Sequence, residues 1–241
     1  MLLLAIMYTI LATTIFIYFE TKKDKPLLAW YFKALASFGF ILIAGAAIYQ
    51  STKDSNGLVV LLPQHYDWLI MVLLIIFGLV MGLLGDLVLA LRPLQDNTKD
   101  KQIIVFGISF FSLGHIFYLL ALLRYSQFML ISLIFGILMV IIILYGSKIL
   151  KFDMGRAKIP TLFYTGLIFT MVVQAIVAGN IDGFSRFSIL FIVGAILFAV
   201  SDLILAPIYY KNDRRKIMII LNLVTYYAAQ IMIASSIYFL R

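Results

Sequence analysis

The sequence predicts an all-α membrane protein, a bundle of eight transmembrane helices, and three observations support this fold class. Hydrophobic residues make up 64% of the chain and charged residues 12%, whereas soluble domains average roughly 45–50% and 25%. Eight apolar runs are each long enough to cross a hydrocarbon core of about 30 Å, which takes about 20 helical residues. Lys and Arg are concentrated in alternate loops between those runs. Because backbone polar groups in lipid must pair internally, we expect each run to be a helix.

The first run, Leu2–Phe19, lacks a preceding basic segment and a convincing small-residue cleavage site. We therefore expect a retained span and not a removable signal. The other seven runs are Pro26–Tyr49, Asp67–Leu91, Ile103–Leu123, Phe128–Tyr145, Pro160–Ala178, Phe187–Pro207 and Ile217–Leu240. All five prolines are expected at span ends or in loops. We expect residues 1–241 to form a single transmembrane domain.

The basic residues predict the orientation. Fourteen of the 19 Lys and Arg residues lie in the loops after the first, third, fifth and seventh spans, and four lie on the other side. Cytoplasmic loops carry an excess of Lys and Arg, so we expect these basic loops in the cytoplasm and both termini on the non-cytoplasmic side. The net charge of +8 then reflects topology and contact with anionic membrane lipids, and no nucleic-acid partner is expected.

Two segments resemble each other, one in the third span and one in the seventh. Gly78-Leu-Val-Met-Gly-Leu-Leu-Gly-Asp86-Leu-Val-Leu-Ala90 and Gly194-Ala-Ile-Leu-Phe-Ala-Val-Ser-Asp202-Leu-Ile-Leu-Ala206 both place a glycine eight residues before the acid. Pro26 and Pro160 open the second and sixth spans in the same register. This repetition suggests two parallel four-helix halves related by an axis along the membrane normal.

Asp86 and Asp202 are the strongest candidates for chemistry. A charged side chain inside a membrane is costly, so both acids should face the bundle interior and have partners. Each lies about five residues before its run ends, or roughly 8 Å deep by the helical rise, so a shared depth is expected. The plainer interpretation is that both acids are inert interhelical hydrogen-bonding groups.

Other intramembrane polar residues are candidates for supporting roles. Lys33 is either a counter-ion of the acids or a lysine that extends to the interface on its apolar stem. His115 and Tyr118 in the fourth span, and Asn222, Thr225, Tyr226 and Gln230 in the eighth, either orient a substrate or only link helices. The chain has no cysteine, and its second histidine, His65, is expected in an external loop. We therefore expect no metal and no cofactor.

Several segments together resemble the YhhN family, whose animal members are lysoplasmalogenases. They are Gly85-Asp86, Gly114-His115-Ile-Phe-Tyr118, Gly194-Ala-Ile-Leu-Phe-Ala-Val-Ser201-Asp202-Leu and Thr225-Tyr226-Tyr227-Ala-Ala-Gln230. The resemblance adds Tyr227 to the candidate residues, and either Lys33 or Lys25 corresponds to the family's lysine near the start of the second span. The more distant alkaline ceramidases also look similar, but their zinc-binding histidines have no counterparts in this sequence.

The resemblance implies hydrolysis of the vinyl ether bond of a lysophospholipid, which gives a fatty aldehyde and a glycerophospho-alcohol. That reaction needs an acid and a carboxylate, and two aspartates in a low-dielectric site favour different protonation states. A lysolipid could enter sideways between helices, with its phosphate near the basic loops. A small ion-coupled transporter and a non-catalytic lipid-binding protein remain alternatives. The low cysteine and high lysine and isoleucine content favours a bacterial inner membrane, with the endoplasmic reticulum as the alternative.

Overall fold

The computed structural model describes residues 1–22, 24–52, 66–95 and 100–240, and eight α-helices lie in these ranges. They are α1 (Leu2–Lys22), α2 (Pro26–Ser51), α3 (Tyr66–Leu89), α4 (Asp100–Tyr125), α5 (Leu130–Ile149), α6 (Lys158–Ile181), α7 (Arg186–Tyr210) and α8 (Lys216–Ser236). Short 3₁₀ segments follow α3, precede α6 and follow α8. All eight helices are long and apolar enough to cross a membrane, which confirms the predicted fold class. Their ends lie within four residues of the predicted runs.

Pro207 lies inside α7, so the expectation that every proline lies at a span end or in a loop is wrong. Proline removes one backbone donor and crowds the preceding turn, yet here α7 continues as far as Tyr210. Asp202 therefore lies eight residues before the end of α7 at Tyr210. Asp86 also lies eight residues before the end of its span, which runs from Tyr66 through α3 and the following 3₁₀ segment to Leu94. The two acids thus have equal spacings from the ends of their spans, and their shared depth in the membrane stays a prediction. Pro63 lies outside the described residues.

Helix packing repeats between the two halves of the chain. In the first half α1 packs on α2, α2 on α3 and α3 on α4; in the second, α5 packs on α6, α6 on α7 and α7 on α8. Between the halves α4 packs on α6, and the equivalent contact, α8 on α2, is also present. A two-fold axis along the bundle would relate each contact of one half to the equivalent contact of the other half. The observed packing therefore agrees with the two parallel halves predicted from the sequence. The membrane orientation stays a prediction, and Lys23, Lys53, Lys99 and Arg241 lie outside the described residues.

The two halves differ at their outer helices. α1 packs on α8 as well as on α2, whereas α5 packs mainly on α6. Of the α5 residues, only Ser132, Gly136 and Ser147 are buried. Large apolar side chains cover the remaining surface of α5, as expected for a helix that faces lipid on most sides.

Asp182 joins three helices at the end of the bundle opposite the basic loops. Tyr125 at the end of α4 donates a hydrogen bond of 2.6 Å to Asp182 Oδ2, and the hydroxyls of Ser185 and Ser188 donate at 2.6 and 3.0 Å. Partial burial alone would raise the pKa of Asp182. The hydrogen bonds to its carboxylate, of which that from Ser185 is the strongest, have the larger effect and lower the pKa below its usual value. The ionised Asp182 therefore fixes the turn between α6 and α7.

Candidate active site

A seam of glycines on α3 lets two neighbouring helices approach the helix that carries Asp86. A Cβ added at Gly78 would collide with the ring of Tyr118 from α4, and a Cβ at Gly82 would lie 2.7 Å from Gln230 Nε2 of α8. Both added Cβ atoms would lie closer to their neighbours than Cβ atoms do in real structures, so these positions require glycine to keep the packing. The small face predicted from the four-residue spacing thus places α4 and α8 against α3.

Asp86 is buried and accepts contacts from two helices. Lys33 Nζ of α2 lies 3.2 Å from Asp86 Oδ1. Ser37 Oγ, one turn further along α2, donates to Oδ2 at 2.6 Å, and Tyr226 OH of α8 donates to the same oxygen at 2.7 Å. A cation and two hydroxyl donors around one carboxylate suit its ionised form, which only accepts hydrogen bonds.

Further side chains extend this arrangement without touching Asp86. Gln230 Nε2 donates to Tyr226 OH at 3.3 Å, and Tyr118 OH donates to Gln230 Oε1 at 3.0 Å. Tyr227 OH lies 3.2 Å from Ser37 Oγ, and it is the donor because the Ser37 proton points to Asp86. Two series of hydrogen bonds therefore end on the same carboxylate. In a low-dielectric interior, successive hydrogen bonds in such a series polarise and strengthen one another.

Asp202 lies in a different environment. The side chain of Tyr164 from α6 lies beside Asp202, but Asp202 Oδ2 has no hydrogen-bond partner among the residues that the structure describes. The neighbouring Ser201 is clamped to α8, because Asn222 Nδ2 donates to Ser201 O at 2.9 Å and to Ser201 Oγ at 3.0 Å. The backbone at Asp202 is thus held in place while one of its carboxyl oxygens stays free.

A cavity of about 450 Å³ connects the two acids. Asp86 and Asp202 both line it, together with Lys33, Tyr164 and Tyr226. Asp202 is only half-buried because it faces this cavity. The volume falls in the range of roughly 300–1,000 Å³ that ligand sites occupy. The two aspartates therefore share one space into which a small molecule or lipid fragment fits.

One end of the cavity lies at the basic loops. Arg92, which follows α3, lines it, as do Lys211 and Arg214, which follow α7. The guanidinium of Arg92 donates to both carboxylate oxygens of Asp100 at 2.6 and 2.8 Å and lies 4.0 Å from the ring centroid of Tyr209. Asp213 and Glu20 also line the cavity, so its lining near the loops holds charges of both signs, and the basic side chains among them suit an anionic group such as a phosphate.

His115 does not contact either acid. Its Nδ1 lies 2.8 Å from the carbonyl oxygen of Phe111 and must donate to it, so Nε2 carries the lone pair. Nε2 has no partner within the described part of the chain. The imidazole packs edge-on against Phe198 and Tyr164, with ring centroids 4.6 and 5.3 Å away. His115 therefore supports Tyr164 from behind and lies outside the cavity lining.

The structure brings most of the predicted residues together around the two acids, some in direct contact and others through intervening residues. Lys33 and Tyr226 touch Asp86, and Asn222 holds the residue next to Asp202. Tyr118, Tyr227 and Gln230 reach Asp86 only through other side chains and do not line the cavity. Between the two lysines considered, Lys33 contacts Asp86, whereas Lys25 is exposed before α2.

Sequence reasoning missed Ser37 and Tyr164. Ser37 follows Lys33 by four residues and so lies on the same face of α2, a spacing that could have revealed it. Tyr164 belongs to a polar stripe on α6 with Thr161 and Thr165, again at helical spacing. His65 lies outside the described residues, and among those described no three His, Asp or Glu side chains are grouped as metal ligands. Independence from metal stays a prediction.

Comparison with known proteins gives two matches. A family model described as "YhhN family" matches residues 28–237. The chain is also 24% identical over 227 residues to a protein of Dictyostelium discoideum described as "Lysoplasmalogenase homolog", covering 83% of this chain and 71% of that protein. No solved structure matches the chain significantly.

Proposed function

Because the chain belongs to the YhhN family, we propose that it is a lysoplasmalogenase-like membrane hydrolase. Its reaction is cleavage of the vinyl ether bond of a 1-alkenyl lysophospholipid, giving a fatty aldehyde and a glycerophospho-alcohol. The observation that carries the proposal is that Asp86 and Asp202, the two acids within the apolar runs, line one cavity in unlike surroundings. The name of the Dictyostelium relative, a lysoplasmalogenase homologue, supports the same class of reaction.

The unlike surroundings support a division of roles. Asp86 has a cation and two donors around it, and these contacts suit the role of the charged carboxylate. Asp202 has no cation in contact and one unpartnered oxygen among the described residues. An ionised carboxylate without a counter-ion is costly to bury, so Asp202 is the carboxylic acid that donates the proton.

The reaction then proceeds in three balanced steps. Asp202 transfers its proton to the outer alkene carbon, and the electron pair of the double bond forms the new C–H bond, leaving an oxocarbenium ion. The negative charge of Asp86 stabilises this cation. Water adds to the oxocarbenium carbon and gives its proton to the emptied Asp202 carboxylate. The resulting hemiacetal breaks its bond to the glycerol oxygen, which takes up the hydroxyl proton, and the aldehyde is released.

The cavity's charged end supports a phospholipid substrate. With the vinyl ether at the acids, the glycerophosphate of the substrate extends toward Arg92, Lys211 and Arg214. Of these, Arg92 is held by Asp100 and the Tyr209 ring, so it is the best-ordered phosphate contact. A lysolipid enters from the membrane and places its polar end at the acids and the basic side chains.

The test is aldehyde release from a 1-alkenyl lysophospholipid by the purified protein in detergent. We expect Asp202→Asn and Asp86→Asn to lose activity by about 100-fold or more, the range for a general acid or base. Asp153→Asn serves as the matched control, because the side chain of Asp153 is exposed and pairs with Lys101 on the surface. An ester-linked lysolipid should give no aldehyde.

Isotope labelling tests the proposed chemistry itself. In D₂O, protonation of the outer alkene carbon places one deuterium next to the aldehyde carbon, which mass spectrometry detects after reduction to the alcohol. Aldehyde without this deuterium, or folded Asp202→Asn protein with the wild-type rate, would show that the assigned mechanism is wrong. No aldehyde from folded wild-type protein would reject the hydrolase and favour transport or lipid binding.

A further inference from the structure

The cavity extends away from the acids to a groove between α5, α6 and α7. Ile143, Gly146 and Ser147 of α5 line it, as do Phe169 of α6 and Leu203 of α7. α5 and α7 each pack on α6 but make no extensive contact with each other. The space between them therefore has α6 as its floor and the two other helices as its walls.

This groove reaches the lipid-facing surface. Leu203 lines the cavity and is nevertheless 43% exposed, so the cavity and the outer surface meet at α7. On the opposite wall, the next residues of α5, Ile142 and Tyr145, are 49% and 61% exposed. A hydrocarbon chain can thus pass from the bilayer into the cavity sideways, without crossing a polar surface.

The walls of the groove are apolar even where their residues are not. Ser147 Oγ donates to the carbonyl oxygen of Leu144 at 2.9 Å, and Thr165 Oγ1 donates to that of Thr161 at 2.9 Å. Both hydroxyl protons are used within their own helices, so these side chains offer an occupant mainly methylene and methyl surface. A polar ligand would find no free hydroxyl donor here, whereas a hydrocarbon chain needs none.

We propose that the groove between α5, α6 and α7 binds the hydrocarbon chain of the lipid, and that Gly146 sets how far the chain extends along α5. The inference rests on the proposed function and specifies its substrate. Leu203 in the wall of the groove directly follows Asp202 on α7, and the acids, the groove and the basic side chains line one cavity. The vinyl ether of a lysoplasmalogen also lies at the junction between chain and glycerol, so a chain in the groove brings that bond to the acids.

Gly146 makes this proposal testable because it has room for a side chain. A Cβ added at Gly146 meets nothing within 4 Å, and the same holds for Gly45 on α2. Gly146 lines the cavity, whereas Gly45 does not. Gly146→Trp therefore fills the groove without a clash at its Cβ, and Gly45→Trp is its matched control. Gly146→Leu is a milder plug that keeps the test possible where Trp impairs folding.

The probe is a saturated 1-O-alkyl lysophospholipid with a diazirine at the chain end, which cannot be hydrolysed. After photolysis we expect labelled peptides from α5 and α6 around Ile143 and Phe169, and competition by the unlabelled ether lipid. The label should be lost from these peptides in Gly146→Trp and kept in Gly45→Trp. For a cleavable substrate, Gly146→Trp should lower kcat/KM for a long chain more than for a short one.

The proposal is overturned when labelling is spread over all lipid-facing helices, or when Gly146→Trp is labelled like the wild type. Since the probe is inert, this outcome is independent of turnover. Labelled α5 and α6 peptides with no aldehyde from the alkenyl substrate would reject the hydrolase and keep the chain site. Aldehyde release together with dispersed labelling would keep the hydrolase and reject the chain site.

Discussion

Replacing Lys33 by methionine removes the cation that the structure places on Asp86 and keeps a side chain of similar length. Lys33 Nζ lies 3.2 Å from Asp86 Oδ1, and the two side chains are only 11% and 4% exposed. In Lys33→Met, Asp86 stays buried with two hydroxyl donors but without a positive charge. The variant therefore measures how strongly the bundle depends on this ion pair.

The expected loss follows from the geometry. Two unit charges at this separation attract by about 5 kcal/mol at an effective dielectric constant of about 20. Desolvation offsets most of that attraction while both charges are present, but removing one partner of a buried pair costs about 3–5 kcal/mol. Because Ser37 and Tyr226 still donate to Asp86, we expect the low end, about 3 kcal/mol in the free energy of unfolding.

A double-mutant cycle in mixed micelles, followed by denaturant unfolding, measures this energy. Asp86→Asn keeps an acceptor for the two hydroxyls but leaves the Lys33 cation without its partner, so we again expect a loss of about 3 kcal/mol, and the double variant should lose no more than that because neither charge remains. Lys148→Met, at an exposed lysine of α5, should change stability by less than about 0.5 kcal/mol. A double variant whose loss equals the sum of the single losses would refute the assigned ion pair.

Three further predictions concern packing, pH and helix linkage. Gly78→Val should cost about 1–3 kcal/mol by forcing Tyr118 aside, while Gly45→Val should not, and thermal unfolding compares them. The pKa of Asp182 is lowered in the folded protein, so its stabilisation is complete above the unfolded pKa of about 3.9 and is lost as pH falls through the lower folded value. Melting temperatures below about pH 4 should therefore fall less in Asp182→Asn than in the wild type. Asn222→Ala should cost about 1 kcal/mol by removing the side-chain donor that links α8 to the carbonyl and hydroxyl oxygens of Ser201; an unchanged denaturation midpoint would contradict that role.

The helices and the two acids were predictable from the sequence because both signals are local. An apolar run of the right length has little alternative to a helix in lipid, and a carboxylate inside such a run stands out. Pro207 was misplaced because the end of a run was equated with the end of its helix. α7 continues past this residue, and hydropathy alone does not report that continuation.

The partners of the acids were less predictable because they depend on which helices meet. Lys33 and Lys25 are both near the start of α2, and only the packing of α2 on α3 brings Lys33 to Asp86. Tyr164 is one of several tyrosines in the chain, and its contact with Asp202 requires α6 beside α7. His115 had the sequence signal of a site residue, yet it packs behind Tyr164, since aromatic side chains of α6 and α7 separate it from the cavity.

The unlike surroundings of the two acids follow from an imperfect repeat. Asp86 on α3 and Asp202 on α7 occupy corresponding positions, and their neighbours α2 and α6 also correspond in the packing. α2 carries Lys33 and Ser37 on the face toward Asp86, whereas α6 has no charged residue after Lys158 and offers Asp202 the hydroxyl of Tyr164. A strict repeat would give two equally paired carboxylates. Divergence between α2 and α6 is therefore sufficient to give two corresponding aspartates unlike surroundings in the same cavity, which is the difference that the proposed division of roles requires.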